Sequence, residues 1–173
     1  AEPVVFSDTV GGPDSGGPAW DELARLPREC ILIADDSHGL GITGPDGSGS
    51  WKPLAEMGFR ELLLCGSLGK AMGVTAGVIA GDSDTLADLQ RTPFFSGASP
   101  APPAGLASLS DALESGWYHK KQLRLKDLLQ FFHAEVGHLE TLHFAPHYPV
   151  ITFRNRSLAR YLKEHRVLIT DFE

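Results

Sequence analysis

A single lysine, Lys70, lies among glycines in the stretch CGSLGKAMG, which follows an apolar run. Such a lysine can bind a nucleotide phosphate, form a covalent bond to a carbonyl group, or remain a solvated surface charge. A phosphate loop of the Walker type has four residues between its two glycines and a Ser or Thr directly after the lysine. Here two residues separate Gly66 from Gly69, and Ala71 follows the lysine. The nucleotide-phosphate interpretation therefore lacks both of its defining features.

A second group of polar residues, the ADDSHG motif at residues 34–39, ends the apolar run CILIADD. In parallel α/β sheets, ligand-binding groups gather at the carboxyl ends of the strands. We therefore expect Asp35, His38, Ser67 and Lys70 to be neighbours. An acid, an imidazole, a hydroxyl and an amine in one place suit pyridoxal phosphate, whose aldehyde, ring nitrogen and phosphate need such partners.

Each of these side chains has a chemical reason for its predicted role. Lys70 can bond to the aldehyde, and the carboxylate of Asp35 favours a protonated ring nitrogen because it carries the opposite charge. His38, three residues later, can donate a hydrogen bond to the ring oxygen. The hydroxyl of Ser67 and backbone amides near Gly66 can hold the phosphate dianion.

Three stretches together carry a family resemblance: ADDSHGLGITGPDGSG, CGSLGKAMG and FFSGASPAPPAGLASL. In this order they resemble the α-oxoamine synthase group of fold-type I pyridoxal phosphate enzymes. The resemblance implies Lys70 as the Schiff-base and catalytic lysine, Asp35 as the partner of the ring nitrogen, and His38 beside the ring hydroxyl with a catalytic role. It implies Ser67 as a phosphate ligand. It also implies a homodimer in which Ser96 reaches the phosphate of the neighbouring subunit.

Two departures from that family leave the reaction open. The family often has a Ser-Met-Asp-Gly run where this chain has VGGPDSG, so a serine is replaced near Gly11 or Gly12. The synthases commonly show Pro-Val-x-x-Gly-Asp where this chain has PVITFRN. The expected substrate is a small amino acid, and the reaction is either condensation with an acyl-CoA or transamination.

The order of apolar and polar segments predicts an α/β fold with a mostly parallel sheet and flanking helices. Strands are expected at residues 4–6, 30–36 and 62–65, and the run CILIADD is expected to be buried on both faces. The short turn after Lys70 predicts that residues 74–80 form an antiparallel strand. A helix over residues 82–91 would have Ser83 as its N-cap, and a longer helical region over residues 104–136 would break near Gly116.

The segment after residue 140 predicts a second unit. YPVITF, SLARYLKEH and VLIT are typical of a strand, a helix and a strand. We therefore expect residues 1–140 to be part of a large cofactor-binding domain and residues 141–173 to begin a small α/β domain. The resemblance implies further regions at both ends, so the chain is expected to be the central part of a longer enzyme. A non-catalytic dimerising remnant of the fold is the alternative.

Composition limits the other function classes. The formal net charge of -7 argues against nucleic-acid binding, which needs a basic surface. No apolar run approaches membrane-spanning length. The two cysteines, Cys30 and Cys65, are expected to be reduced core residues of a cytoplasmic protein. Four histidines are too irregularly spaced to predict a zinc site: His133, His138, His143 and His147.

Overall fold

A computed structural model of the chain describes residues 2–11, 20–145 and 148–170. Most of the VGGPDSG run, including Gly12, lies outside these residues, and so does His147. The strands are β1 Val4–Asp8, β2 Ile31–Asp35, β3 Glu61–Ser67, β4 Gly77–Ala80, β5 His143–Phe144 and β6 Ile151–Thr152. The helices are α1 Trp20–Arg25, α2 Trp51–Glu56, α3 Ser83–Gln90, α4 Pro93–Gly97, α5 Pro103–Glu114, α6 Trp117–Val136 and α7 Arg156–Glu164.

Strands β1 to β4 form one sheet in the order β1-β2-β3-β4. β1 pairs with β2 and β2 with β3 in parallel, whereas β4 runs antiparallel to β3. The connection between β3 and β4 is too short for a crossover, which is why the last strand reverses. The predicted α/β class, the mostly parallel sheet and the antiparallel strand after Lys70 are all confirmed.

One face of the sheet carries the core. Leu32 and Ala34 of β2 are almost completely buried, and they pack with Leu64 of β3, Leu23 of α1 and Leu54 of α2. Alternate residues of a strand point to opposite faces, so the other face presents a different set. It includes Phe6 and Ile79, which are 74% and 48% exposed. The prediction that β2 is buried on both faces is therefore wrong for the part of the chain that the structure describes, because its helices cover only the Leu32 face.

The long helical region is divided as the sequence predicts. Gly116, with a φ of 71°, separates α5 from α6, and this left-handed conformation is one that glycine adopts without strain. The start of α3 differs from the prediction. Asp82 is the N-cap and accepts hydrogen bonds from the backbone N–H groups of Asp84 and Thr85, so Ser83 is the first helical residue.

The C-terminal segment is only partly as expected. β5 and β6 pair as a small antiparallel sheet, and α7 begins after Asn155, whose side chain caps it. Residues 167–170 form no strand, which corrects the prediction for VLIT; Leu168 in this segment is 96% exposed. The division between residues 140 and 141 stays a prediction. None of the helices in the described ranges is long and apolar enough to cross a membrane.

Candidate functional site

The carboxyl ends of β2 and β3 form the edge of an open cleft of about 610 Å³. Asp35 is the last residue of β2, and the strand register places it beside Cys65 of β3 and Asp8 of β1. Helices α3 and α4 form the opposite wall. The cleft is lined by Asp35, Ser37, Cys65, Gly66, Ser67, Ala76, Gly77, Val78, Ile79, Leu86, Leu89, Gln90 and Phe95. Asp35 and Cys65 also border a smaller cleft of about 290 Å³ beside β1.

The Asp35 carboxylate is fixed by the residue two positions later. Ser37 donates its backbone N–H to Oδ1 of Asp35 at 2.8 Å. The hydroxyl and the backbone N–H of Ser37 hold the pKa of the Asp35 carboxyl below its usual range, and partial burial opposes them. The positive charges of Lys70 and His38 lower this pKa further. Asp35 is therefore a charged carboxylate at neutral pH, and both predicted cationic partners lie within its electrostatic range.

Ser37 also contacts β3. Its hydroxyl oxygen accepts the backbone N–H of Ser67 at 2.9 Å, so one side chain joins the ends of the two strands. The Ser67 hydroxyl oxygen in turn accepts the backbone N–H of Gly69 at 3.1 Å, and a hydroxyl that accepts keeps its hydrogen for donation to a ligand. The backbone N–H groups of Ser67 and Gly69 thus both donate hydrogen bonds within the chain. The expectation that backbone amides near Gly66 bind the phosphate does not hold for these two.

Lys70 lies in a turn that closes on itself. Leu68 donates its N–H to the carbonyl of Ala76, and Val74 donates to the carbonyl of Leu68, each at 2.9 Å. Gly73 donates to the carbonyl of Lys70 at 3.2 Å. The turn holds the lysine backbone, while its side chain is exposed and does not line the larger cleft.

His38 and Ser96 are also exposed and do not line the larger cleft. His38 lies in the turn that follows β2, near enough for its charge to act on Asp35. Ser96 lies in α4, where its hydroxyl donates to the carbonyl of Thr92 at 3.2 Å, and the neighbouring Phe95 lines the cleft instead. Of the five predicted residues, Asp35 and Ser67 line the cleft, His38 and Lys70 lie near Asp35, and Ser96 lies apart.

The next residue, Asp36, supports the site from the other face of the sheet. It is fully buried, as the alternation of strand residues predicts. Its carboxyl oxygens accept hydrogen bonds from the hydroxyl of Thr9, from the backbone N–H of Ser50 at 2.9 Å and from the Ser50 hydroxyl at 3.0 Å. Gly49, with a φ of 74°, packs so closely on Asp36 that a Cβ there would overlap the carboxyl group. Asp36 therefore holds the glycine-rich loop against the end of β2.

Helix α6 fixes the same loop from outside. Gln122 donates from Nε2 to the carbonyl of Gly41 at 3.1 Å, and the hydroxyl of Tyr118 donates to the same oxygen at 3.4 Å. Burial raises the pKa of the Tyr118 phenol, so this group stays a donor at neutral pH. The loop that follows His38 is thus held at two places, by Asp36 and by α6.

Cys65 is a free, half-buried thiol, and Cys30 is a free thiol in the core. Burial, followed by the negative charge of Asp35, raises the pKa of the Cys65 thiol. A thiol with a raised pKa is a poor nucleophile at neutral pH. Cys65 contributes to the wall of both clefts.

His133, near the end of α6, makes an ordinary packing contact. The ring of His133 packs edge-to-face on Phe144 of β5, with 5.0 Å between the ring centroids. Phe132 packs on the same ring at 5.9 Å. Within residues 2–11, 20–145 and 148–170, no group of three or more His, Cys, Asp or Glu side chains could hold a metal ion.

Sequence reasoning missed Ser37. Part of its signal was present, because an aspartate side chain often accepts the backbone N–H of the residue two positions later. The sequence analysis selected Asp35, His38 and Lys70 because their side chains are chemically reactive. It overlooked Ser37, which acts through a hydrogen bond to Asp35.

Comparison with known proteins places this site in a family. The sequence model of the family described as "Aminotransferase class I and II" matches residues 14–173. The chain is 31% identical to 8-amino-7-oxononanoate synthase from Marinobacter nauticus over 96% of this chain and 45% of that protein. It is 39% identical to the enzyme of the same name from Halorhodospira halophila over 66% of this chain and 30% of that protein.

Solved structures agree on the fold. Serine palmitoyltransferase from S. paucimobilis, with a bound PLP–myriocin aldimine, has a TM-score of 0.72 at 14% identity, over 91% of this chain and 43% of that one. 8-Amino-7-oxononanoate synthase from Francisella tularensis has a TM-score of 0.65 at 22% identity, over 95% and 50% of the two chains.

The chain therefore belongs to the aminotransferase class I and II family, with the fold of the type I pyridoxal phosphate transferases. The resemblance to the α-oxoamine synthase group that the sequence predicts is confirmed. The chain spans about 45% of the length of the Marinobacter nauticus relative that it matches.

Proposed function

We propose that this chain provides the pyridoxal phosphate-binding part of a transferase that acts on an amino acid. The observation that supports this most is the charged Asp35 carboxylate at the end of β2, within electrostatic range of the Lys70 ammonium. A carboxylate and a lysine amine at one strand edge are the two groups that the cofactor needs for its ring nitrogen and its aldehyde. The relatives named 8-amino-7-oxononanoate synthase support the same assignment.

The described residues fit the cofactor at three points. Asp35 keeps its negative charge, which suits a protonated pyridine nitrogen. Ser67 has a hydroxyl hydrogen to donate to a phosphate oxygen, because Gly69 uses only its acceptor side. Lys70 is exposed in its turn and would hold the aldehyde as a Schiff base. His38 is close to Asp35 and would donate to the ring oxygen.

When bound, the cofactor supplies an electron-withdrawing ring that stabilises negative charge on a substrate carbon. The chain supplies the proton transfers. When its amine is not bonded to the aldehyde, Lys70 would take a proton from the substrate carbon and return it. His38 would keep a hydrogen bond on the ring oxygen during these transfers. The apolar wall formed by Leu86, Leu89 and Phe95 would exclude water from one side of the cleft.

For the reaction, we propose acyl transfer from an acyl-CoA to a small amino acid. The relatives named 8-amino-7-oxononanoate synthase favour this over transamination. The test is an assay with a panel of amino acids, each with an acyl-CoA or with a 2-oxo acid. Release of free CoA supports acyl transfer, whereas amino-group exchange with the 2-oxo acid supports transamination. Cofactor binding without either reaction would favour the non-catalytic alternative.

We also propose that the chain acts as a homodimer, in the cytoplasm. Large apolar side chains are exposed along α4 and α6, including Phe94 at 91%, Phe131 at 65% and Trp117 at 54%. Large apolar side chains with this exposure are candidates for burial in a protein interface. Ser96, which lies beside Phe95 and outside the cleft of its own chain, would then face the neighbouring subunit. Sedimentation velocity of the wild type and of Phe94→Ser tests this, and a monomeric wild type would contradict it.

Cofactor binding is tested by titrating the chain with pyridoxal phosphate and following the absorbance of the imine. We expect the signal to disappear in Lys70→Ala and to persist in Lys120→Ala, which removes an exposed lysine of α6. Asp35→Asn should bind more weakly, because it removes the charge that favours the protonated ring nitrogen. An imine signal of equal size in Lys70→Ala would refute the proposed role of the lysine.

A further inference from the structure

Ser37 forms hydrogen bonds with both Asp35 and Ser67, which lie at the ends of β2 and β3. It follows the last paired residue of β2 by two positions, and it lines the larger cleft. Its backbone N–H donates to Asp35 at 2.8 Å, and its hydroxyl oxygen accepts the backbone N–H of Ser67 at 2.9 Å. β3 continues to Ser67 where β2 has ended, so this hydroxyl replaces a backbone partner that β2 no longer offers.

We propose that Ser37 is a positioning residue that fixes the Asp35 carboxylate relative to Ser67, and so sets the affinity of the chain for pyridoxal phosphate. This inference rests on the proposed function. A ligand that must reach a carboxylate with its ring nitrogen and a hydroxyl with its phosphate is sensitive to the spacing of those two groups. A single residue that donates its backbone N–H to Asp35 and accepts the backbone N–H of Ser67 keeps the two strand ends at a constant spacing before the ligand arrives, which lowers the entropy cost of binding.

The charges around Asp35 show why the hydroxyl matters. The groups that act on this carboxylate are His38 in the following turn and Lys70 in the β3–β4 turn, with Asp8 beside it on β1 and Cys65 beside it on β3. Yet the largest contribution to the lowered pKa comes from the hydroxyl of Ser37, and the next from its N–H. Replacing the hydroxyl removes the largest contribution and leaves every charged neighbour in place.

The first test needs no cofactor. The pKa of the Asp35 carboxyl is measured by carbon-detected NMR in the wild type, Ser37→Ala, Ser37→Thr and Ser110→Ala. We expect the low pKa of the wild type to rise toward the ordinary value of 3.8 in Ser37→Ala and to stay low in Ser37→Thr, which keeps a hydroxyl. Ser110→Ala removes an exposed hydroxyl of α5 and should change nothing. An unchanged pKa in Ser37→Ala, with the fold intact by circular dichroism, would overturn the inference.

The second test measures the dissociation constant of pyridoxal phosphate for the same four proteins. Loss of one hydrogen bond between positioned groups should weaken binding about tenfold in Ser37→Ala, with recovery in Ser37→Thr. If Ser37 had only a structural role, Ser37→Ala would lower the melting temperature. The affinity and the pKa would then show no change that Ser37→Thr restores. Wild-type binding with an unchanged affinity in Ser37→Ala overturns the role of Ser37 alone. Failure of the wild type to bind overturns the proposed function and this role together.

Discussion

Ser50 donates its backbone N–H to Oδ2 of the buried Asp36 at 2.9 Å, which joins the end of the glycine-rich loop to the end of β2. The two residues are fourteen positions apart in the chain. The loop between them contains Ser37 and His38, and Asp35 directly precedes Asp36. The geometry of the candidate site therefore depends on a carboxyl group that lies on the opposite face of the sheet.

Replacing Asp36 should destabilise the fold. Asp36→Ala leaves the hydroxyl of Thr9 and the backbone N–H of Ser50 buried without their acceptor, and we expect a loss of about 3 kcal/mol in the free energy of unfolding. Asp36→Asn should cost less, because the amide oxygen can still accept and the two hydroxyls can rotate to accept from its NH₂ group. Urea denaturation measures both. Asp111→Ala, an exposed position on α5, is the control, and an equal loss there would contradict this assignment.

Two glycines with the same backbone conformation should respond differently to alanine. Gly49 and Gly58 have φ values of 74° and 70°, so both substitutions carry the strain of about 1 kcal/mol that a left-handed residue costs. At Gly58 the new methyl group meets open space, whereas at Gly49 it overlaps the Asp36 carboxyl group. We expect Gly49→Ala to lower the free energy of unfolding by clearly more than Gly58→Ala. Equal losses would show that Asp36 does not occupy that space.

The sequence predicts those parts of the fold that local pattern decides. The reversal of β4 follows from a turn too short for a crossover, and the break at Gly116 follows from a residue free to adopt a positive φ. The apolar run of β2 predicts burial on both faces, whereas the structure shows alternating burial, because tertiary structure decides which face the helices cover. The short helices α2 and α4 were not predicted, because one or two turns give little helical periodicity. Val167–Thr170 has the composition of a strand, but a strand needs a neighbour, and pairing is decided by tertiary structure.

The sequence predicts which types of residue form the candidate site, but it does not predict the hydrogen bonds between them. Asp35, His38, Ser67 and Lys70 are types with evident chemistry at strand ends, so their position could be inferred. Ser37 acts through hydrogen bonds to Asp35 and Ser67 that depend on the register of β2 and β3. Register is a relation between distant segments, so the pattern of either strand alone does not reveal which residues lie side by side.

The N-cap of α3 gives a pH-dependent prediction. Hydrogen bonds from the backbone N–H and hydroxyl of Thr85 hold the pKa of the Asp82 carboxyl below its usual range. A carboxyl whose pKa is lower in the folded state stabilises the fold above its unfolded pKa, and this contribution is lost as the pH falls through the folded pKa. We expect the melting temperature of the wild type to exceed that of Asp82→Asn at neutral pH, and the difference to vanish in acid below the ordinary value of 3.8.

A comparison with Ser83→Ala separates the two possible caps of α3. Asp82→Ala should lower the melting temperature at neutral pH because the N–H groups of Asp84 and Thr85 lose their acceptor. Ser83→Ala should leave it nearly unchanged. A larger decrease of the melting temperature in Ser83→Ala than in Asp82→Ala would show that Ser83 is the N-cap, as the sequence predicts.

Tyr118 and Gln122 should behave as a coupled pair, since both donate to the carbonyl of Gly41. We expect Gln122→Met to lower the free energy of unfolding only slightly. The Oε1 atom that it removes has no hydrogen-bond partner in the described residues, and Tyr118 still donates to the carbonyl of Gly41. Tyr118→Phe should also be mild. The double variant leaves the carbonyl unpaired, and we expect a coupling energy of about 1 kcal/mol in a double-mutant cycle. Strictly additive losses would contradict the shared acceptor.

The central claim is that Lys70 is the residue that bonds to the cofactor aldehyde. The most direct measurement is to incubate the chain with pyridoxal phosphate, reduce the imine with borohydride, digest the protein and locate the label by mass spectrometry. Our account predicts one labelled peptide, which contains Lys70 and is absent from Lys70→Arg. A label spread over the other lysines, or unchanged in Lys70→Arg, would contradict it.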